Sequence, residues 1–412
     1  AETINSVNQD DWENVEADLI RDSIDILLIS PERFANEHFG SEVLGSIADR
    51  ISMLVIDEAH CISDWGHDFR PDYRRLGQLR ALCPGVPLVA LSATAAPRVR
   101  ADILRLLGLC KPLIQVSSAQ RSNLHYTMRR RPSDPLPDVL EALKHSRGAT
   151  LIYARTRRSV ELWAERLQSQ GIQAITYHAG LEVERREEAL RHFLEADAPV
   201  LVATVAFGMG VDRSDVGLVL HLDLPATPEG YLQESGRAGR DGRPAHCLVL
   251  FSPGDRTSLG WAMQSTLRRA AESKASDDDV WRVEFSQQQL RRMEAVAEGE
   301  ICREQALLLS VGELTSPCGR CDRCLADGRA KDWSDRAQEL LEVIDAGQGA
   351  DIRSLTERLR EIDGSEERWG WLARRLVQEE LIRESNDGAQ RLSLRDSGRQ
   401  FLHAPWPLHY AA

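Results

Sequence analysis

The chain has 412 residues, 42% of them hydrophobic and 28% charged, and a formal net charge of −13. That length allows two to four domains, each able to bury a core. No apolar run reaches the ~18–20 residues of a membrane span, and Ala1–Ser6 lacks the layout of a signal peptide, so a cytoplasmic protein is expected. The acidic sum argues mildly against a nucleic-acid binder, but a narrow channel needs only local cations. Those cations are arginines apart from lysines at 111, 144, 274 and 331. Arginine suits bidentate phosphate contacts; a compositional bias of the source genome explains the same excess equally well.

Residues 1–110 alternate helical and strand-like stretches. Asp25–Ile29, Met53–Ile56 and Pro87–Leu91 are short apolar runs, each followed by polar chemistry: Ser30–Arg33, Asp57–His60 and Ser92–Thr94. This is the layout of a parallel sheet with function at the carboxyl ends of its strands. Residues 111–147, with prolines at 132, 135 and 137, read as a connection. A second α/β unit follows, with strands at 149–153, 174–178, 200–203, 218–222 and 247–251 and helices at 159–170 and 182–195. Two βαβ domains in tandem leave a cleft between them, a natural ligand site. Residues 255–310 are polar and helical. The remainder reads as three helices (335–346, 352–361 and 366–379) and a hairpin turning at Asn386-Asp387-Gly388, the winged-helix layout.

Several constellations carry chemistry. Asp57 and Glu58 end a buried strand, where an NTPase needs one acid for Mg²⁺ and one to orient the attacking water; His60 would relay between nucleotide and nucleic acid. As a bare tetrapeptide, Asp57–His60 reads as well as a solvated helix start. The loop behind it interleaves Trp65, Phe69 and Tyr73 with His67, Asp68 and Arg70, a combination suited to sensing a base. In Gln233–Gly242, Arg237 and Arg240 are three apart and are expected on one helix face, able to stabilise charge on a transferring phosphoryl group. Thr204, Gly210 and Asp212 follow a strand and could meet phosphate and ribose. Ser92 and Thr94 could couple the two domains. Thr156 and His178 could touch DNA phosphate or be ordinary loop residues. Cys302 with Cys318, Cys321 and Cys324 forms two overlapping C-x-x-C units and a distant fourth thiolate, the spacing of a closed structural Zn²⁺ site. Cys61, Cys83, Cys110 and Cys247 read as small buried hydrophobes.

These motifs, in this order and over nearly the whole chain, resemble the RecQ family of superfamily 2 DNA helicases. The aromatic loop Trp65–Tyr73 and the cysteine quartet separate that resemblance from DEAH-type RNA helicases. It implies tandem RecA-like domains at 1–118 (incomplete) and 119–254, a helical zinc-binding module at 255–330 and a winged-helix domain at 331–412. It further implies 3′→5′ unwinding of DNA in repair and recombination, driven by ATP and Mg²⁺, by a monomer. In it Asp57, Glu58, His60, Gln233, Arg237 and Arg240 are catalytic, and Asp57, Ser92, Thr94, Gly210 and Asp212 hold nucleotide. Trp65, His67, Phe69, Arg70, Tyr73, Thr156, His178 and Thr204 then meet DNA. The hairpin tip is polar and carries no aromatic wedge. One departure is large. The family grips phosphate with G-x-x-x-x-G-K-[ST], and no Gly-Lys pair occurs in these 412 residues. The expectation is an amino-terminal truncation, with a chain unable to hydrolyse ATP alone. The competing reading is an ATP-independent module that binds junctions or single strands through its zinc and winged-helix units.

Overall fold

The computed structural model describes residues 1–4, 9–34, 36, 38–66, 68–208, 211–256, 258–260, 277–326, 331–347, 351, 354–355, 357–359, 366–385 and 390–410. His67, Gly210 and the hairpin tip Asn386–Gly388 lie outside these residues, as does much of the expected helix 352–361. The chain divides into two compact units, Ala1–Gln120 with Leu308–Leu314, and Arg121–Leu307 with Thr315–Ala412.

In the first unit, β1 (Glu2–Ile4) pairs in parallel with β2 (Leu27–Ile29), and β3 (Leu54–Ile56) with β4 (Leu88–Ala90). Side chains alternate across a strand. Leu27, Ile29, Leu54, Ile56, Leu88 and Ala90 turn toward a core that includes Val15, Phe34, Ile62 and Ile103. The intervening Leu28, Val55 and Val89, with Ile26, Met53 and Leu91 beside them, are exposed. These strands therefore have one packed face and one open face. Pro97 starts the helix Pro97–Leu106, which buries Val99 and Ile103.

The second unit is built on a six-stranded parallel sheet ordered β5-β10-β9-β6-β8-β7, with β5 at Leu124–Arg130, β6 at Ala149–Tyr153, β7 at Ala174–Tyr177, β8 at Val200–Ala203, β9 at Val216–His221 and β10 at Ala245–Phe251. All five residues of β6 are buried, as a strand covered on both faces requires. One face packs Ile152, Val202, Leu218 and Leu220 against Val139, Val160, Trp163 and Leu167. The other packs Leu151, Leu201, Val219 and Val249 in a core that runs on through Leu290 and Met293 to Cys302 and Cys321. The cysteine region is thus an extension of this core.

The sequence reading of 111–147 as a connection is corrected here. Residues 124–130 form edge strand β5, and Leu136–His145 is a helix. The strand was concealed by its half-buried pattern. Leu124, Tyr126 and Met128 face inward, while the alternate positions are polar.

The last part of the chain packs the helices Ser334–Ala346 and Glu366–Gln378 with an antiparallel pair, β11 (Ile382–Glu384) and β12 (Leu392–Leu394), around Leu340, Leu341, Trp369, Leu372 and Leu376. The helix Asp396–His403 follows, burying Phe401. Gly398 permits the approach, since a Cβ there would lie 2.2 Å from the carbonyl oxygen of Leu381.

Candidate functional site

Asp57 and Glu58 leave the carboxyl end of β3. Asp57 is exposed, and its Oδ1 accepts the Glu58 backbone N–H at 2.8 Å. Glu58 has φ +49° and ψ +38°, a left-handed conformation uncommon outside glycine, asparagine and aspartate. Outliers of this kind persist where the surroundings over-determine them. The surroundings here are specific. His60 is 1% exposed, and its Nδ1 lies 3.3 Å from Glu58 Oε2 and 3.1 Å from Ser92 Oγ. The backbone closes the same bridge, Ala59 N–H donating to Leu91 O and Leu91 N–H to Ile56 O, each at 2.8 Å. The ends of β3 and β4 thus form one unit. Thr94 is also buried, and its hydroxyl has no partner among the described residues.

The aromatic loop is fastened to that unit. Ser63, fully buried, donates to Asp102 Oδ2 at 2.7 Å and accepts the Trp65 N–H at 3.2 Å. The Arg98 guanidinium carbon lies 2.9 Å from the centre of the Trp65 ring, a cation–π stack. Arg70 pairs with Asp68 at 2.9 Å, and its N–H donates to Cys61 O. Arg74 pairs with Asp64 and lies 5.2 Å from the Phe69 ring. Burial pushes the Tyr73 hydroxyl and the Cys61 thiol each up to about 12, so both stay neutral. Trp65, Phe69 and Arg70 are half-buried, whereas Tyr73 is buried in the core. Arg98 and Asp102 had not been singled out from sequence. Their signal was a cation and an acid in the first turns of the helix after Ser92–Thr94.

In the second unit, Thr156, His178 and Thr204 follow β6, β7 and β8, neighbours in the sheet. Thr156 caps the helix Arg157–Gln168, its Oγ1 accepting the Ser159 N–H at 3.1 Å. His178 is buried, with Nε2 3.3 Å from Glu161 and Nδ1 accepting the Gly180 N–H at 3.2 Å. Thr204 is half-buried, its N–H bonded to Tyr177 O. Gln233 lies on the helix Pro228–Ser235.

Arg237 and Arg240 do not share a helix face, contrary to expectation. The helix ends at Ser235, and the chain turns through Gly239 at φ +57° and Gly242 at φ +80°. Glycine is required at 239, where a Cβ would sit 2.4 Å from Asn123 Nδ2. Arg237 therefore turns inward, 8% exposed, with its guanidinium against Gly208 and its Nε without an acceptor among the described residues. Arg240 turns outward and pairs with Asp212 at 2.6 Å.

The sulfurs of Cys302, Cys318, Cys321 and Cys324 all lie within 4.8 Å of one another, with Cys318–Cys324 at 4.0 Å and Cys321–Cys302 at 3.9 Å. Tetrahedral Zn–S bonds of about 2.3 Å place sulfurs about 3.8 Å apart, so the donor set fits zinc. Backbone N–H groups of Cys318, Arg320, Cys321 and Cys324 point at the sulfurs, between 3.2 and 3.5 Å, which favours thiolates. Arg303, 1% exposed, grips Asp322 with two bonds of 2.9 and 3.1 Å and donates to Gly299 O at 3.1 Å. It fixes the turn that carries Cys321 and Cys324.

A parallel-sheet unit with an acidic pair tied to a Ser–Ala–Thr turn, and a second parallel-sheet unit with a glycine–arginine turn, define a DEAD/DEAH-box helicase chain. Family comparison agrees: residues 2–103 match the DEAD/DEAH box helicase model and residues 134–242 the helicase conserved C-terminal domain. Residues 263–325 match the RecQ zinc-binding model. The chain belongs to the RecQ helicase family. It is 33% identical to the ATP-dependent DNA helicase RecQ of Pasteurella multocida, covering 97% of this chain and 65% of that protein. It is 36% identical to the RecQ of Haemophilus influenzae, covering 81% of this chain and 52% of that one. The RecQ-like DNA helicase BLM of Xenopus laevis is 42% identical over 57% of this chain and 18% of its own. The chain thus spans about half to two thirds of the length of the two bacterial relatives.

Proposed function

We propose that these residues belong to an ATP-dependent DNA helicase that moves 3′→5′ and acts in repair or recombination. The observation that carries the reading is the Glu58–His60–Ser92 chain at the ends of β3 and β4, with the Trp65–Tyr73 loop fastened behind it. In this reading Asp57 holds Mg²⁺, and Glu58 orients and deprotonates the water that attacks the γ-phosphate. His60 and Ser92 pass the state of that site to Thr94, and DNA contact at Trp65, Phe69 and Arg70 reaches Glu58 through the same short path. Arg237 and Arg240 stabilise charge on the phosphoryl group, with Gln233, Thr204 and Asp212 on the same unit. Thr156 and His178 meet the DNA backbone at the carboxyl ends of β6 and β7. The cysteine quartet holds a structural Zn²⁺. No Gly-Lys phosphate loop is among the 412 residues, so hydrolysis is assigned to a protein that contains these residues together with such a loop.

The test measures DNA-stimulated ATP hydrolysis, and unwinding of 3′-tailed against 5′-tailed duplexes, by a protein containing this chain. Glu58→Gln is expected to abolish hydrolysis while DNA binding persists, and only 3′-tailed duplexes are expected to open. An unchanged rate in Glu58→Gln refutes the role given to Glu58. DNA binding that never responds to nucleotide, with no hydrolysis at all, favours a simple binding module instead.

A further inference from the structure

A cavity of about 560 Å³ opens in the second unit where β5, the end of β10, the helix Asp277–Glu298 and the winged-helix part converge. None of the residues discussed above as candidate catalytic, nucleotide or DNA contacts lines it. Its wall is exceptional in so acidic a chain. Arg130, Arg323, Lys331, Arg336 and Arg368 stand there with only two carboxylates, Glu298 and Asp332.

Both carboxylates are already engaged. Glu298 accepts Nε and Nη2 of Arg374, each at 2.8 Å. Asp332 accepts the backbone N–H and hydroxyl of Ser334 at 2.9 and 2.5 Å, which holds its carboxyl below the usual range. Arg130 also lies 3.4 Å from Glu298, and the five cations still outnumber the two carboxylates of the wall.

The rest of the wall is aromatic. Trp333 and Trp371 pack with ring centres 4.9 Å apart and planes at 53°, and both line the cavity with Phe251. Trp333 is 7% exposed, yet its indole N–H has no partner among the described residues. The Nε of Arg323 is likewise buried without an acceptor. Buried donors are rarely left unpaired. Both atoms are enclosed within the wall itself, so the cations and the rings set the ligand chemistry.

Cations ask for an anion, and a tryptophan pair asks for a flat ring. The volume lies in the range of small-ligand sites. We propose that this cavity binds a nucleotide, with its base against the Trp333–Trp371 pair and its phosphate among Arg323, Arg336 and Arg368. The same chemistry is offered by a free nucleotide and by one nucleotide of a single strand. A bare inorganic anion would engage the cations and leave the tryptophans idle.

The test uses the 412-residue protein loaded with zinc. Calorimetric titration with dAMP, and anisotropy with a short fluorescein-labelled deoxyadenylate oligomer, are compared across wild type, Arg336→Ala/Arg368→Ala, Trp371→Leu and Trp371→Phe. Zinc content and urea midpoint identify any variant that has lost its fold. The arginine pair and Trp371→Leu are each expected to weaken binding about tenfold, the scale of one base–aromatic stack, while Trp371→Phe keeps it. Weakened dAMP binding assigns the site to free nucleotide. Weakened oligomer binding with no dAMP binding assigns it to a strand. Unchanged affinity for both ligands in Trp371→Leu overturns the proposal, and so does displacement of dAMP by sodium phosphate at equal concentration.

Discussion

His60 and Arg303 are each 1% exposed, and each holds functional neighbours in place without being able to touch a large ligand. His60 bridges Glu58 and Ser92 through one ring nitrogen, so Ser92→Ala removes one of its two neighbours and leaves Glu58. One intramolecular hydrogen bond contributes about 0.5–1.5 kcal/mol. We expect a urea unfolding transition weakened by that amount and, in a protein competent for hydrolysis, ATP turnover that responds less to DNA. Arg303 makes a two-pronged ion pair with Asp322 beside the cysteines. Removing one partner of such a buried pair costs about 3–5 kcal/mol, and loss of outer-shell support costs about 10–100-fold in metal affinity. Arg303→Ala is therefore expected to surrender zinc to a chelator far more readily than wild type. Arg303→Lys is expected to rescue little, since an ammonium cannot reproduce the fork.

Strand and turn elements differ in how openly the sequence announces them. β6 is a run of five buried residues, and the acids after β3 follow an apolar stretch, so both were legible. β5 was not, because its outer positions carry His125, Thr127 and Arg129 and its alternation looked like a polar linker. The glycine–arginine turn was read as helical because Arg237 and Arg240 have helical spacing. Only the positive φ of Gly239 and its contact with Asn123, 116 residues away in sequence, break the helix there. Tertiary contacts of that range leave no local pattern. The stack of Arg98 on Trp65 is of the same kind, while the cysteine quartet was legible because its spacing alone implies the chemistry. The open face of β2, β3 and β4 supplies a further test. Leu28, Val55 and Val89 are 62%, 56% and 38% exposed, so this chain is expected to bind the dye ANS through these apolar strand faces. Val55→Ser with Val89→Ser should lower ANS fluorescence while shifting unfolding by no more than about 0.5 kcal/mol per site, the usual surface range. A large loss of stability would mean that this face is packed in solution.

Across the molecule, the carboxyl-terminal part built on the helices Ser334–Ala346 and Glu366–Gln378 is joined to the helix Asp277–Glu298 and to the segment after β10 by charge rather than by apolar contact alone. Arg256 spends its fork on Glu384, at 2.5 and 2.8 Å, and Arg374 spends its own on Glu298, at 2.8 Å twice. Glu294 lies between them. Arg256 Nε is 3.1 Å away but not aligned for a hydrogen bond, and Arg374 Nε is 3.9 Å away. Burial, set against the attraction of Arg256 and Arg374 and reinforced by Glu298 and Glu384, raises the Glu294 carboxyl from 4.5 to about 7. Arg291 is the other cation of the cluster, and burial lowers its own pKa. The sign follows from proton linkage. Between pH 4.5 and 7 the folded protein keeps a proton that the unfolded chain releases, so this residue makes stability fall as pH rises through that window and then level off. Other carboxylates contribute opposite slopes, so the informative quantity is the difference between Glu294→Gln and wild type. Glutamine imitates the protonated acid at every pH. The variant is expected to match wild type near pH 4.5 and to exceed it near pH 8 by an amount on the order of 1–3 kcal/mol. Urea unfolding of both proteins at intervals across that range measures it. A difference that does not change with pH would mean that Glu294 is already ionised in the fold and that one of the arginine forks has turned toward it.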